Sequence, residues 1–256
     1  MEILETIDIV KKFGEFRALN GVTLGVEKGK VTVLIGPNGS GKTTLINCLT
    51  GVYRPDEGTV RYKGDDITGK APHKLRKIGI ARTFQIPAPF KKLTVFENLM
   101  VSAGNQLGED ILKALARRIW LPQEEELTEK SLALLKSFDV EGKRNNLAYE
   151  LSGGQLKLLE LLRLLMEDVE LCVLDEPVGS IHPVLANKIF STVKAMSEKE
   201  GITFLIVEHR LDIAMRYADN VCALVEGKIL CHGSPKSVLE NEELQRTYLS
   251  LKNVRK

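Results

Sequence analysis

The chain lacks any long uncharged apolar run: nowhere among its 256 residues is there a stretch of the roughly 20 apolar positions that crosses a bilayer. It also has little excess charge. Thirty-six lysines and arginines face thirty-four aspartates and glutamates, giving a formal net charge of +2 without blocks of one sign. That balance excludes a binder of nucleic acid or anionic lipid driven by bulk electrostatics, although a local basic patch remains open. Cysteine is scarce, and Cys48, Cys172, Cys222 and Cys231 form no CxxC pair. Cys172 and Cys222 lie in apolar runs that read as buried strands, so they are expected to be small core residues in a reducing compartment. The opening MEILETIDIVKKF has acids where a secretory signal needs bases, and no apolar segment follows them. A soluble protein able to dock on a membrane partner is expected. Its length allows a substantial core in one large or two modest domains.

What is present is a set of short apolar runs, each ending in chemistry-bearing residues. Residues 1 to about 30 alternate around glycine turns and read as short antiparallel strands. Val31–Ile35 is continuously apolar and runs into a glycine loop, after which Thr44–Leu49 has helical character up to Gly51. Two similar runs follow, Leu171–Leu174 before Asp175-Glu176 and Ile202–Val207 before Glu208-His209. Three such runs read as neighbouring central strands of an α/β sheet with a ligand site at their carboxyl ends. Residues 91–155 read as a mainly helical insertion, leaving 1–90 and 156–256 as the α/β core. Within the insertion, Arg117-Arg118 and Glu124 to Glu126 flank Pro122 and read as a solvated loop and helix end. Leu156 to Glu167 is leucine-rich with one narrow polar stripe of Lys157, Glu160, Arg163 and Glu167, so it is predicted to be a core helix. VCALVEGKIL predicts a hairpin near Glu226-Gly227.

The strongest motif is Gly36-Pro37-Asn38-Gly39-Ser40-Gly41-Lys42-Thr43, continued by Thr44. Its glycines permit a tight path whose backbone amides wrap phosphate oxygens, and the helix that follows points its amino end at the same anion. Lys42 places a point charge against the terminal phosphates, and the Thr43 hydroxyl is a magnesium ligand. Asp175 is a second candidate for magnesium, and Glu176 for the general base that polarises attacking water. His209 ends the third strand, where it would face the same phosphates. Gln85, closing IARTFQ, is a weaker candidate for ligating magnesium or orienting water. Ser152 is a suitable helix cap, and the adjoining Gly153, Gly154 and Gln155 favour phosphate contact by the exposed amides.

Together these residues resemble the ATP-binding subunits of ATP-binding cassette transporters along essentially the whole chain. The resemblance implies a P-loop NTPase (RecA-like) α/β core with an antiparallel β part at the amino terminus and an inserted α-helical subdomain, all within one cassette domain. It matches Gly36–Thr43 to the Walker A loop, Gln85 to the Q-loop, Leu151–Gln155 to the signature, Asp175 and Glu176 to Walker B and the catalytic glutamate, and His209 to the switch histidine. Phe13 is matched to the aromatic that stacks on adenine, with Phe16 as its rival. ATP and Mg2+ are the implied cofactors. The implied partners are a second cassette, identical or paralogous, integral membrane permease subunits and, indirectly, an extracytoplasmic solute-binding protein; no nucleic acid is expected. The implied location is the cytoplasmic face of the cell membrane, with the segment after Gln85, IPAPFKKLTVFENL, at the coupling surface.

Finer segments, KKFGEFRALNGVTL, GIARTFQIPAPFKKLTVFENLMVSA and GKILCHGSPKSVLENEELQRTYL, resemble the branched-chain amino-acid importers. Cassettes for urea-like substrates or lipopolysaccharide share part of this pattern. A cassette ATPase acting on DNA or protein complexes is the other alternative, but it would carry a long coiled coil that is absent here. Leu156-Lys157-Leu158-Leu159 after the signature, and Ser180 and His182 in the loop after Glu176, depart from the family pattern. They lead to the expectation that hydrolysis is retained while communication between subunits or its pH dependence differs.

Overall fold

A computed structural model of the chain describes residues 1–83, 88–104, 106–179 and 181–246. In chain order it runs β1 (Glu2–Phe13), β2 (Phe16–Glu27), β3 (Val31–Ile35), α1 (Lys42–Leu49), β4 (Glu57–Tyr62), β5 (Asp65–Asp66), α2 (Pro72–Lys77) and β6 (Ile80–Arg82). The helical stretch follows as α3 (Val95–Ser102), α4 (Ile111–Ala114), α5 (Arg117–Ser137) and α6 (Gly153–Leu165). Last come β7 (Leu171–Asp175), α7 (Pro183–Glu200), β8 (Thr203–Val207), α8 (Leu211–Tyr217), β9 (Asn220–Val225), β10 (Lys228–Gly233) and α9 (Pro235–Leu239).

Two sheets organise these elements. The first is antiparallel, in the order β2-β1-β4-β5, and the second runs β10-β9-β3-β8-β7-β6. In the second sheet every pairing is parallel except the edge hairpin β9–β10. Its central strands β3, β7 and β8 are largely apolar and fully buried because both faces are covered. Val31, Val33 and Ile35 join Cys172, Leu174, Phe204 and Ile206 in a core shared with α3, α5, α6 and α7. Leu34, Leu171, Val173, Leu205 and Val207 point the other way, into a second core with α1 and the antiparallel sheet. Helix α1 is thereby sandwiched between the two sheets, which fixes the glycine loop that precedes it.

Two local readings change and two hold. The amino-terminal strands are not short: β1 and β2 each span 12 residues. Register shifts, one flanking Asp8 at φ 50°, allow pairing to continue through charged positions. Pro122 neither ends a helix nor marks a loop, since α5 runs through it for 21 residues. Pro122 forfeits its own hydrogen bond and crowds the carbonyl one turn back, but it lies near the helix start, and burial of Ser131, Leu134 and Leu135 further along holds the helix in place. The leucine-rich segment is a core helix, with Leu158, Leu159, Leu161, Leu162, Leu164 and Leu165 all buried. The carboxy-terminal hairpin turns at Glu226 (φ 47°) and Gly227 (φ 74°), the pair of left-handed residues that a tight two-residue hairpin requires. Among the described residues, no helix is long and apolar enough to cross a membrane.

Candidate functional site: a nucleotide cleft and a detached signature turn

The carboxyl ends of β3, β7 and β8 lie side by side, because β3 pairs with β8 and β8 with β7. Each strand therefore delivers its terminal residues to one edge of the sheet. After β3 the chain turns through Gly36–Gly41 into α1. Gly41 sits at φ 104°, and a β-carbon there would lie 2.5 Å from the Ala18 carbonyl, so only glycine fits. Lys42 is buried, and its Nζ donates to the carbonyls of Gly36 and Pro37, each at 2.8 Å. Burial lowers its pKa from the ordinary lysine value, while Glu176 and Asp175 pull it back up. Thr43 is exposed at the helix start, whereas the Ser40 hydroxyl is buried without a hydrogen-bond partner.

An open cleft of about 380 Å³ gathers Phe13, Phe16, Asn38, Gly39, Gly41, Lys42, Thr43, Thr44, Glu176 and His209. Phe13 meets Tyr53 edge to face at 5.5 Å between ring centroids, with Lys11 Nζ 5.7 Å from the Phe13 centroid. Phe16 is the more exposed of the two aromatics. His209 Nε2 lies 2.9 Å from Glu176 Oε1, a close imidazole–carboxylate contact. Glu176 adopts φ 49°, a left-handed conformation that costs a non-glycine residue roughly 1 kcal/mol or more. The bond from its amide to the Val207 carbonyl (2.9 Å) helps hold that conformation. Asp175 is buried, and Arg82 Nη2 contacts its Oδ2 at 3.2 Å. The other branch of the guanidinium, Nη1, donates to Asn47 Oδ1 (2.6 Å) on α1 and to Thr50 Oγ1 (3.1 Å) at its carboxyl cap. Arg82 thus bridges the helix after the phosphate loop to the strand carrying Asp175.

The loop following Glu176 is clasped from the neighbouring strand end. Glu208, buried, accepts from the Val178 amide (3.0 Å) with one carboxylate oxygen and from the His209 and Arg210 amides (3.0 and 3.2 Å) with the other. Arg210 Nη1 donates to the Ile181 carbonyl at 3.0 Å. His182 caps α7, its Nδ1 accepting from the Val184 amide at 3.4 Å. Gln85 and Ser180 lie outside the described residues.

None of Ser152–Gln155 lines this cleft. Ser152 caps α6 in a reciprocal box: its hydroxyl accepts from the Gln155 amide (3.4 Å), and Gln155 Oε1 accepts from the Ser152 amide (2.9 Å). Around Gly153 an added β-carbon would meet nothing within 4 Å. Sequence reasoning brought the cleft residues together but assigned no role to Arg82, Lys157, Glu208 or Arg210. Their partners are remote or are backbone groups, and the one available signal was charge at the ends of otherwise apolar runs.

Comparison with known proteins agrees with this geometry. The family described as ABC transporter matches residues 19–179. The Archaeoglobus fulgidus "Probable branched-chain amino acid transport ATP-binding protein LivG" is 45% identical over 249 residues, covering 97% of this chain and 96% of that one. A solved ATP-binding cassette of an ABC transporter in its ADP conformation is 44% identical with a TM-score of 0.82, the match covering 97% of this chain and 99% of that chain. A dimeric cassette in a post-hydrolysis state with ADP and Pi is 25% identical with a TM-score of 0.74, over 91% and 98% of the two chains. With the phosphate loop, the paired strand-end carboxylates and the separate LSGGQ turn all carried on one fold, the chain belongs to the ABC transporter family, among its ATP-binding cassettes.

Proposed function

We propose that this chain hydrolyses ATP with magnesium and that the hydrolysis powers import of branched-chain amino acids through separate membrane permease subunits. The observation that carries hydrolysis is the meeting of Lys42, Glu176 and His209 in one cleft. Amides of the loop from Gly36 to Thr44 wrap the phosphates, Lys42 supplies charge against the terminal ones, and Phe13 covers the base. Glu176 takes the proton of the attacking water, and His209 fixes the carboxylate that does so. Thr43 and Asp175 offer the hard oxygen ligands that suit magnesium, which needs only one or two carboxylates beside phosphate oxygens and water. The unpartnered Ser40 hydroxyl supports the fit, since the loop still carries a polar atom that protein leaves unsatisfied. Bound there, magnesium would neutralise charge developing on the phosphate oxygens. Gln85 is assigned to the same metal and water on the family match alone.

Ser152, Gly153, Gly154 and Gln155 act on the nucleotide of a second cassette, identical or paralogous. Their exposure away from the chain's own cleft supports this, as does the dimeric form of one solved relative. Residues 86–99, described from 88 onward, form the permease-facing surface. They are well built for docking: buried Asn98 accepts from the Phe90 amide (2.9 Å) and donates to the carbonyls of Phe90, Leu93 and Thr94 at 2.9–3.2 Å, leaving the Phe90 ring half exposed. The assembly sits on the cytoplasmic face through those subunits and receives substrate from an extracytoplasmic binding protein. The substrate class rests on the names of the relatives.

The test of hydrolysis and pairing is Glu176→Gln with ATP, read by mass measurement and phosphate release. Turnover should vanish while ATP drives a stable dimer; a monomer that hydrolyses at the wild-type rate would refute both roles. Leucine uptake into vesicles carrying the permease subunits tests the substrate, and uptake of urea or another solute instead would reassign it.

A further inference from the structure

The signature helix is wired to the catalytic glutamate of its own chain. Lys157, just over one turn into α6 from the Ser152 cap, donates from Nζ to the carbonyls of Glu176 (3.1 Å) and Gly179 (2.8 Å). The Glu176 carbonyl also receives the Gly179 amide at 3.2 Å, closing a tight turn whose first residue is the left-handed Glu176. A β-carbon at Gly179 would lie 3.2 Å from Lys157 Nζ and 3.7 Å from Glu176 Oε2, so the ammonium group and the catalytic carboxylate flank the same point. Glu208 and Arg210 hold the other side of this loop through Val178 and Ile181. Of these three side chains only Lys157 comes from α6.

From these contacts we propose that Lys157 is a positioning residue: it transmits occupation of this chain's signature turn by the partner's phosphate to the chain's own Glu176, and so couples the two ATP sites of a dimer. The inference rests on the paired-cassette reading above. Ser152 and Lys157 are five positions apart on a capped helix, about 7–8 Å along its axis at 1.5 Å per residue. A helix of that length moves as a rigid body. Capture of a phosphate at its amino end therefore shifts the Lys157 anchor, and the Glu176 carbonyl follows because Nζ holds it directly. Glu176 serves the other nucleotide, so filling one site sets the base of the second. That is a coupling free energy between two sites carried by one rigid element.

The test uses the full chain and compares Lys157→Met, which keeps the aliphatic stem without donors, with Lys157→Arg, which keeps donors. ATP dependence of hydrolysis gives kcat and the Hill coefficient, and ATP-driven dimer mass is followed in the Glu176→Gln background. The wild type should show a Hill coefficient above 1. Lys157→Met should bind ATP as wild type and, in the Glu176→Gln background, still dimerise. It should nevertheless lose cooperativity and about tenfold in kcat, the scale of one charge-assisted hydrogen bond. Lys157→Arg should restore most of both. Gly179→Ala, which crowds the ammonium without removing it, should reproduce the loss and guards against a folding defect in the methionine variant. A wild-type Hill coefficient of 1, or cooperativity unchanged in both Lys157→Met and Gly179→Ala, would overturn the inference alone. A Glu176→Gln chain that stays monomeric with ATP would overturn the paired reading and this inference with it.

Discussion

The nucleotide cleft and the signature turn differ in how much of their hydrogen bonding is already settled within one chain. In the cleft, Lys42 is occupied by two loop carbonyls, Asp175 is held by Arg82, the Glu176 amide by the Val207 carbonyl, and Glu208 accepts three amides. At the signature turn the contacts close on themselves in a capping box, and the space beyond Gly153 is open. The turn carrying Glu176 is already fixed, so it needs little rearrangement at the moment of reaction, whereas Lys42 exchanges its loop carbonyls for phosphate oxygens on binding. An open helix amino end is the complementary property, a binding surface for an anion brought from elsewhere. Under the proposed pairing, the contrast accounts for a cassette that holds a nearly complete reaction site and draws its signature from a second chain.

The largest effect should come from breaking the settled half. Lys42→Ala removes the charge against the phosphates, and equilibrium binding should show ATP affinity falling by roughly ten- to a hundredfold. Gly153→Ala attacks the open half. Alanine at the first helical position meets no atom of its own chain, so thermal stability and monomer ATP affinity should stay at wild-type values. Turnover should drop by about tenfold or more, because the added methyl blocks close approach of the partner's phosphate. Turnover left intact would mean that the turn is only a helix cap. A smaller effect concerns pH. Because burial lowers the Lys42 pKa, ATP affinity should weaken as pH rises through that lowered value. Titration towards alkaline pH should show the fall in the wild type beginning below the range of an ordinary lysine, and its absence in Lys42→Arg, whose guanidinium stays charged. The smallest effect belongs to His182. As a cap of α7, it should be replaceable by asparagine with unchanged melting temperature, while His182→Ala should cost about 1 kcal/mol, or about 2–4 °C.

Much of the cleft was legible because its position follows from pattern. β3, β7 and β8 are covered on both faces, so their sequences are largely apolar, and their ends name the sheet edge where Lys42, Glu176 and His209 meet, with Asp175 buried beside them. The β9–β10 hairpin was legible because a glycine after Glu226 allows its turn. Other features left no local trace. Arg82 finds Asp175 across 93 positions, and Lys157 finds two backbone carbonyls, which carry no residue-type signal. Pro122 misled in the opposite direction, since local propensity was overridden by packing further along α5. The strain at Glu176 was likewise invisible, because it depends on a bond to Val207 in a neighbouring strand.

The claim that reaction groups and signature come from different chains is tested most directly by mixing two disabled chains, Lys42→Ala and Gly153→Ala. Each alone should run at about a tenth of the wild-type rate or less at an ATP concentration that does not saturate Lys42→Ala. A mixed dimer places the intact phosphate loop of one chain against the intact signature of the other, so equal mixing should restore up to about a quarter of the wild-type ATPase rate by random pairing. A mixture no more active than the average of its two components would contradict the account.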